Sequence, residues 1–487
     1  MQQETGSRLS GRLRVLALIA GPALGAAAFW ITPDSAAAPD GSVIAIGFPG
    51  RITAGLACWM AAWWLTEAIP VYATALLPLA VLPVTGARAL DATASAYAHP
   101  LIFLFLGGFL LALGLERWGL HRRFAFAVLR VVGTEPRMLV GGFMLVSAVL
   151  SMWISNTATA LVMLPIAMSV INLQSDDAPE KKSFSLCLLL GVAYAASIGG
   201  VGTIVGTPPN LFTASFMASE LETQISFAEW MIIGVPVAAL FLPLAWLLLT
   251  RFLYPVGGAS LGGAELDVHA EPWTRGARVT LVIFLLTALA WMFRPLLVEV
   301  PGLGRLSDTG IAIIAALVLF SIPVNLREKT FLMDWETATR VPWGVLILFG
   351  GGLALAGAIS ANGIGELLAS SLGGLKDLPP ILLILLVVAL IIFLTELTSN
   401  TATTTALVPI FAAVAVGLGL DPVTVIVPAA IAASCAFMLP VATPPNAIVY
   451  GSGMINTPAM ARAGIWLNVI GIVLITVVTR FTVGLVI

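Results

Sequence analysis

A polar tetrapeptide that occurs twice constrains this chain more than any other feature. Ser155-Asn156-Thr157-Ala158 and Ser399-Asn400-Thr401-Ala402 lie 244 residues apart. Further identities at the same offset are Leu104-Phe105 with Leu348-Phe349, Gly107-Gly108 with Gly351-Gly352, Leu111-Ala112 with Leu355-Ala356, Thr159 with Thr403, and Pro165-Ile166 with Pro409-Ile410. The chain therefore contains a duplicated half.

A second polar motif follows each copy of the first. It reads Thr207-Pro208-Pro209-Asn210 in the first half and Thr443-Pro444-Pro445-Asn446 in the second. Because proline removes a backbone donor and breaks a helix, we expect each Pro-Pro to unwind its helix opposite a hairpin tip. Two polar interruptions in each apolar half are typical of a membrane protein that binds a solute between two repeats.

The composition indicates a membrane protein. Hydrophobic residues make up 59% and charged residues 10% of the chain, against about 45–50% and 25% in soluble proteins. Cys58, Cys187 and Cys435 lie in apolar stretches without a pairing pattern, which argues against a disulfide framework or a cysteine metal site. No basic run adjoins aromatic residues, so nothing supports nucleic-acid binding. The partner that the composition predicts is the lipid bilayer.

The apolar runs predict an all-α polytopic fold with about eleven transmembrane helices and two re-entrant helical hairpins. The expected crossings are 13–31, 52–66, 69–86, 99–115, 184–206, 230–250, 279–298, 308–324, 342–360, 423–441 and 464–486. The hairpins are 138–172 and 379–420, each folded at its Ser-Asn-Thr. We expect the polar tips near mid-depth, where irregular backbone is tolerated only in protein or beside a wet cavity.

Lysine and arginine placement predicts the topology. With a cytoplasmic N-terminus, seventeen of the 23 basic residues fall on the cytoplasmic side, as the positive-inside rule requires. The external six are Arg51, Arg88, Arg294, Arg305, Lys376 and Arg480. Under this topology the first hairpin opens from the cytoplasm and the second from outside. The two repeats are therefore inverted, with one broken helix in each.

The same topology divides the chain into five regions. They are N-terminal scaffold helices (1–98), a first repeat core (99–229), scaffold helices with a cytoplasmic linker (230–341), a second repeat core (342–461) and a C-terminal helix (462–487). Within them, Thr32–Gly50 is the expected external loop and Gly257–Arg275 the expected linker. The basic N-terminus, the apolar run and Ala36–Ala38 resemble a cleavable signal peptide. We expect no cleavage, because it would reverse the next crossing.

The polar tips predict anion and cation binding. Asn, Ser and Thr offer amides and hydroxyls, and the helix start at each tip carries partial positive charge that can hold a carboxylate or sulfate. Carbonyls that end the first arm can coordinate sodium. The intervals 138–180, 183–250 and 377–461 contain no Lys or Arg. Because an uncompensated charge at the bilayer centre costs at least about 2.5–3.5 kcal/mol, we expect sodium or protons as compensation, rather than a passive anion leak.

These motifs closely resemble those of the divalent anion/sodium symporter (DASS) family. Besides the two repeated motifs, the resemblance includes Thr66–Pro70 and the run Ala433–Val449, which satisfies the family's sodium:sulfate symporter signature throughout. It extends from about Trp63 to the C-terminus, apart from the linker after Tyr254. The resemblance implies a homodimer in which a transport domain moves like an elevator against a scaffold.

The resemblance also implies the site residues. The first sodium site would use Ser151, Ser155, Asn156 and the backbone near Gly206; the second would use Thr395, Thr398, Asn400 and Ala442. The substrate carboxylates would meet Asn156, Thr157, Asn400 and Thr401, flanked by Thr207-Pro208 and Thr443-Pro444. Ser151 and Thr395 are related by the 244-residue offset. Ile154 stands where the second repeat has Thr398, so the two cation sites need not be equivalent.

We interpret the chain as a secondary active transporter in the cytoplasmic (inner) membrane of a bacterium. It would import C4-dicarboxylates such as succinate, malate or fumarate with co-transported sodium and without an organic cofactor. Three alternatives remain open: a sodium-independent exchanger, a sodium-coupled citrate or sulfate transporter, and coupling through a proton on Glu396. An anion channel would need no cation at all. A hydrolase is disfavoured, because the tips lack a base beside a nucleophile.

Overall fold

The computed structural model describes residues 11–37, 43–124, 135–172, 181–257, 272–371 and 378–486, together with positions 127 and 133. The regular secondary structure of these residues is helical apart from two short antiparallel strand pairs. Eight of the described helices are long and apolar enough to cross a membrane. The all-α polytopic class is confirmed. The exact count of eleven crossings and the re-entrant course of the hairpins stay predictions.

The first part of the chain forms a strand pair and a series of helices. In order these are α1 (Gly11–Ile31), β1 (Ser35–Ala37), β2 (Val43–Ala45), α2 (Gly47–Thr66), α3 (Val71–Thr74), α4 (Leu77–Val84), α5 (Leu90–Ser95) and α6 (Pro100–Arg117). The expected crossing at 69–86 is thus split into α3 and α4. Pro70 precedes α3, and Ala75 and Leu76 separate the two helices.

The middle of the chain contains the first hairpin and the first broken helix. Its elements are α7 (Pro136–Ser151), α8 (Asn156–Ile171), α9 (Lys181–Gly200), α10 (Pro208–Glu220), α11 (Phe227–Leu247), α12 (Arg275–Met292), α13 (Arg294–Leu297) and α14 (Asp308–Ser321). A capping box formed by Ser226 and Glu229 begins α11, because each group satisfies a backbone N–H that the helix start leaves unpaired.

The last part contains the second hairpin and the second broken helix. Its elements are β3 (Pro323–Asn325), β4 (Thr330–Phe331), α15 (Trp335–Ala338), α16 (Trp343–Ala361), α17 (Ile364–Ser371), α18 (Pro380–Thr395), α19 (Asn400–Gly417), α20 (Val423–Ala433), α21 (Pro444–Tyr450) and α22 (Thr457–Thr482). The expected crossing at 423–441 is helical only as far as Ala433, since the break begins well before the Pro-Pro pair.

The described chain divides into two compact units. The first comprises Met1–Ile102, Phe212–Ile225 and Pro342–Ala433, and its core includes Met60, Trp64 and Leu348. Trp64 is fully buried, and its indole N–H donates to the Val71 carbonyl at 3.1 Å. That bond satisfies the one polar atom of a large buried side chain.

The second unit comprises Phe103–Leu211, Ser226–Val341 and Ser434–Ile487. Its central helix is α9, which is buried along nearly its whole length. A close crossing of α7 and α9 depends on Gly199, where a Cβ atom would lie 2.1 Å from the Ala148 carbonyl oxygen. The five-region division expected from sequence remains a prediction, and most of the expected linker Gly257–Arg275 lies outside the described residues.

Candidate cation and anion sites

The first hairpin tip lies in the second unit, where α7 ends at Ser151 and α8 begins at Asn156. The Ser151 hydroxyl donates to Oδ1 of Asn156, so two oxygens assigned by resemblance to one sodium site lie together. Ser155 is the N-cap of α8, and its hydroxyl oxygen accepts from the Ala158 N–H at 3.2 Å. Thr203 of the first break donates to the Met152 carbonyl at 2.6 Å. The tip is therefore bonded both to itself and to the broken helix.

The first break runs from the end of α9 at Gly200 to the start of α10 at Pro208. A Cβ atom on Gly200 would lie 2.7 Å from Oδ1 of Asn156. One on Gly206 would lie 2.2 Å from the Gly200 carbonyl oxygen. Only glycine allows both approaches. They bring both the Asn156 amide and the Gly206 backbone close to Gly200, as a shared cation site would require.

The second hairpin tip lies in the first unit, where α18 ends at Thr395 and α19 begins at Asn400. The Thr395 hydroxyl lies 2.7 Å from Oδ1 of Asn400, to which it donates, and 2.9 Å from the carbonyl oxygen of Ala433. Thr398 donates to the Leu394 carbonyl at 2.9 Å and lies 2.6 Å from the Thr403 hydroxyl. The hydroxyl–amide pair of the first tip thus recurs at the repeat-related positions.

The second break runs from Ser434 to Thr443 and belongs to the second unit. Thr443 is the N-cap of α21 and accepts from the Asn446 N–H at 3.3 Å. Helix α21 packs against α8 and α9, so the helix that follows the second break lies beside the second arm of the first hairpin. The hydroxyls of Thr207 and Ser434 are 3.0 Å apart. A hydrogen bond therefore joins the two breaks.

Aromatic rings support the first tip. Trp153 stacks on Phe227 with ring centroids 5.8 Å apart and meets Phe284 edge to face at 5.1 Å. Phe227 in turn stacks on Trp291 at 4.7 Å. Asp308 secures this stack, because its carboxylate accepts from the Phe227 N–H and its carbonyl accepts from the Trp291 indole. A loop without regular structure thereby gains a rigid support.

The remaining predicted residues differ in exposure. Ser151, Thr395, Gly206, Thr207, Ala442 and Thr443 are buried; Asn156, Thr157, Pro208, Thr398, Asn400 and Thr401 are partly exposed; Ser155 and Pro444 are exposed. Ala442 belongs to the second unit, whereas Thr395, Thr398 and Asn400 belong to the first. The partly exposed Asn-Thr pair at each tip is where an anion can reach the start of a helix.

Several residues in these clusters were missed by the sequence reasoning. They are Trp153, Gly200, Asn210, Ala433, Ser434 and Asn446. The two asparagines carried a signal, because each ends a Thr-Pro-Pro-Asn motif, but the motif was considered only for its threonine and proline. Ala433 and Ser434 carried none, since a backbone carbonyl and a lone hydroxyl become neighbours of a site only through folding.

The donor set of both tips consists of hydroxyl, amide and backbone oxygens. Oxygen ligands of this kind suit a hard cation, while the N–H groups at the start of α8 and α19 suit an anion. In the described ranges no group of three or more His, Cys, Asp or Glu residues is placed to hold a metal. The arrangement is thus suited to reversible binding of a small anion and an alkali cation.

An all-helical membrane fold in which hairpin tips and broken helices occur twice defines a class: a polytopic transporter built from repeats. The chain belongs to the sodium:sulfate symporter family, whose transmembrane-region model matches residues 50–486. This is the family that the sequence motifs resemble, and the prediction of family membership is confirmed.

Curated relatives agree with this assignment, and solved structures agree with the fold. The sodium-dependent dicarboxylate transporter SdcS of Staphylococcus saprophyticus is 40% identical over 447 residues, covering 89% of this chain and 86% of the relative. The Staphylococcus aureus SdcS (strain USA300) is 41% identical over 453 residues, covering 90% of this chain and 86% of the relative.

In structure, the chain is similar to the YdaH transporter of Alcanivorax borkumensis, with a TM-score of 0.63, 17% identity and coverage of 96% of this chain and 97% of that one. It is also similar to MtrF of Neisseria gonorrhoeae, with a TM-score of 0.60, 12% identity and coverage of 97% and 95%. At such identities the two structures support the fold alone.

Proposed function

We propose that this chain is a sodium-coupled symporter that imports C4-dicarboxylates such as succinate, malate or fumarate. The observation that carries the proposal is the repeated hydroxyl–amide pair, Ser151 with Asn156 and Thr395 with Asn400. Both pairs lie in intervals without Lys or Arg, where a dianion needs accompanying cations. The name of the Staphylococcus relatives, sodium-dependent dicarboxylate transporter, supports the same substrate and ion.

In this proposal each carboxylate of the substrate binds one Asn-Thr pair. Asn156 and Thr157 hold one group, Asn400 and Thr401 the other, and Thr207-Pro208 and Thr443-Pro444 flank them. Sodium binds to Ser151, Ser155, Asn156 and the Gly206 backbone at one site, and to Thr395, Thr398, Asn400 and Ala442 at the other. The short contacts around Gly200 support the first of these sites, and the bond from Thr395 to Asn400 supports the second.

Uptake into proteoliposomes tests the proposal. Labelled succinate is added to vesicles with an inward sodium gradient, or with choline in place of sodium, at one fixed pH. We expect accumulation only with the gradient, and competition by malate and fumarate. For variants of the tip residues, Ser147→Ala is the matched control, because the Ser147 hydroxyl donates only to the Phe143 carbonyl of its own helix. Accumulation that is equal in sodium and choline would reject symport with sodium.

The same vesicles separate the alternatives. Succinate uptake that needs internal succinate but no sodium would identify an exchanger. Stronger competition by citrate or sulfate than by malate would move the substrate to one of those anions. The two tips favour a ligand with an anionic group at each end, such as a dicarboxylate, because each presents one Asn-Thr pair to one anionic group.

We also propose a homodimer, an elevator-type movement, and inverted hairpins in an inner membrane with a cytoplasmic N-terminus. Single cysteines at Asn172 and Ser371, beside the two hairpins, test the orientation in a Cys58→Ser background. An impermeant maleimide applied to intact cells should label the second position, and the first only after the cells are opened. Labelling of both positions from one side would reject the inverted topology.

A further inference from the structure

Each Thr-Pro-Pro-Asn motif ends in a fully buried asparagine that bonds the backbone of its own break. The Asn210 amide nitrogen lies 3.1 Å from the Gly200 carbonyl oxygen, 3.3 Å from that of Val201 and 2.8 Å from that of Thr203. The Asn446 amide nitrogen lies 3.1 Å from the Ala436 carbonyl oxygen and 3.0 Å from that of Leu439. Both asparagines have 0% exposed surface.

The two asparagines use the same spacing. Each amide donates to carbonyls ten and seven residues before it in the chain. Gly200 and Ala436 are therefore equivalent acceptors, as are Thr203 and Leu439. The flanking sequences differ between the halves, so the shared geometry comes from the Thr-Pro-Pro-Asn motif itself.

The amides supply hydrogen-bond donors to carbonyl groups that a broken helix leaves without partners. Where a helix stops, its last carbonyls lose their intrahelical N–H partners, and a buried carbonyl without a donor costs free energy. Within the described chain, Oδ1 of each asparagine is buried and accepts no hydrogen bond. The side chains are thus placed for their N–H groups, and the surrounding carbonyls determine which amide atom is the nitrogen.

The carbonyls that these amides hold adjoin the predicted cation ligands. Gly200 adjoins both the Asn156 amide and Gly206, which are assigned to the first sodium site. The Leu439 carbonyl also accepts from the Ala442 N–H at 3.2 Å, and Ala442 is assigned to the second. A change in the direction of either carbonyl therefore displaces a backbone segment on which sodium binding depends.

We propose that Asn210 and Asn446 are positioning residues for sodium binding, one for each site. Each amide holds the unwound segment of its own break in the conformation that directs free backbone oxygens toward the ion. Asn210 does this beside Asn156, and Asn446 does it beside Ala442. Neither side chain binds sodium or substrate itself. The inference rests on the proposed sodium coupling and adds two residues to it.

Sodium-dependent stabilisation of the purified protein tests the inference without relying on transport. The melting temperature is measured as sodium replaces choline at constant ionic strength, for wild type, Asn210→Ala, Asn446→Ala and Asn468→Ala. Asn468 is the matched control, because it is equally buried in the second unit but lies in α22, outside both breaks. The readout is the sodium concentration at half-maximal stabilisation.

We expect that midpoint to rise about three- to tenfold in each of the first two variants and to stay unchanged in Asn468→Ala. A purely structural role would lower the melting temperature at every sodium concentration and leave the midpoint in place; that result overturns the inference. Asn446 contacts two carbonyls instead of three, so Asn446→Ala removes fewer hydrogen bonds and should disturb folding less. It therefore provides the test if Asn210→Ala does not fold. A wild type that sodium does not stabilise would defeat the proposed coupling and this inference together, whereas unchanged variant midpoints defeat the inference alone.

Discussion

The two hairpin tips share one polar pair and differ in what supports it. At both, the last residue of the first arm donates a hydroxyl hydrogen bond to the asparagine that begins the second arm. Trp153 of the first tip is packed into an aromatic stack. Its repeat counterpart Leu397 is 75% exposed. The duplication has thus kept the chemistry of the tips, while their mechanical support has diverged.

A second difference concerns a hydroxyl in the second arm. Thr403 lies 2.6 Å from the Thr398 hydroxyl. Its counterpart in the first repeat is Thr159, and Ile154 stands there in place of Thr398. Among the described residues the buried hydroxyl of Thr159 has no hydrogen-bond partner. One exchange in the first tip therefore leaves a polar group unsatisfied in the neighbouring helix.

The largest effect is expected where the tips agree. Asn156→Ala and Asn400→Ala each remove amide donors, and no Lys or Arg occurs in the same sequence interval to replace them. Since hydrogen bonds to charged groups contribute roughly 1.5–3 kcal/mol each, apparent succinate affinity should fall about tenfold or more. Uptake kinetics at saturating sodium measure the change, with Ser147→Ala as control. If both variants took up succinate normally, the shared pair would be structural only.

The next effect should separate the tips. Trp153→Ala removes a ring from the stack with Phe227 and Phe284, so we expect it to lower the free energy of unfolding by about 2 kcal/mol. Leu397→Ala removes an exposed side chain and should change it by less than about 0.5 kcal/mol. Unfolding of both variants in mixed micelles provides the measurement. Equal losses at the two positions would show that the aromatic support is not specific to the first tip.

A smaller effect concerns sodium. Ser151→Ala and Thr395→Val each remove a hydroxyl predicted to bind the ion, and each should raise the sodium concentration for half-maximal uptake about three- to tenfold. Thr395→Val should have the larger effect, because this hydroxyl also reaches the Ala433 carbonyl. Through reciprocal coupling, succinate binding should weaken as well. The rival is Glu396→Gln: loss of gradient dependence in that variant, with the hydroxyl variants normal, would indicate proton coupling.

The smallest effect has opposite signs in the two halves. Thr159→Val replaces an unpaired buried hydroxyl by a methyl group and should stabilise the protein by about 0.5–1 kcal/mol. Thr403→Val breaks the bond with Thr398 and should destabilise it by a similar amount. The two melting temperatures, measured in the same detergent, decide the sign. A shift in the same direction for both would contradict the assigned difference.

Much of the local structure follows from the sequence. Both hairpins are interrupted at the repeated motif, with Asn156 and Asn400 as the first residues of their second arms, because Ser and Asn favour helix starts over helix interiors. Likewise, α10 and α21 begin at the first proline of each Thr-Pro-Pro-Asn, where proline's missing N–H costs nothing. The start of the second break was less predictable, because residues 434–441 are apolar enough to continue α20.

What the sequence by itself determined is the class of protein, its family and the composition of the tips, since these depend on residue type, hydrophobic run length and a repeated spacing. The tertiary structure alone decided which partners each polar group has. The Ser434 hydroxyl forms a hydrogen bond with that of Thr207, and the Asn210 amide nitrogen contacts three carbonyl oxygens. Trp153 stacks on the ring of Phe227, which lies far along the chain. Such contacts depend on the directions in which buried groups point after the helices pack, and an unpaired polar group costs enough in a membrane core to enforce them.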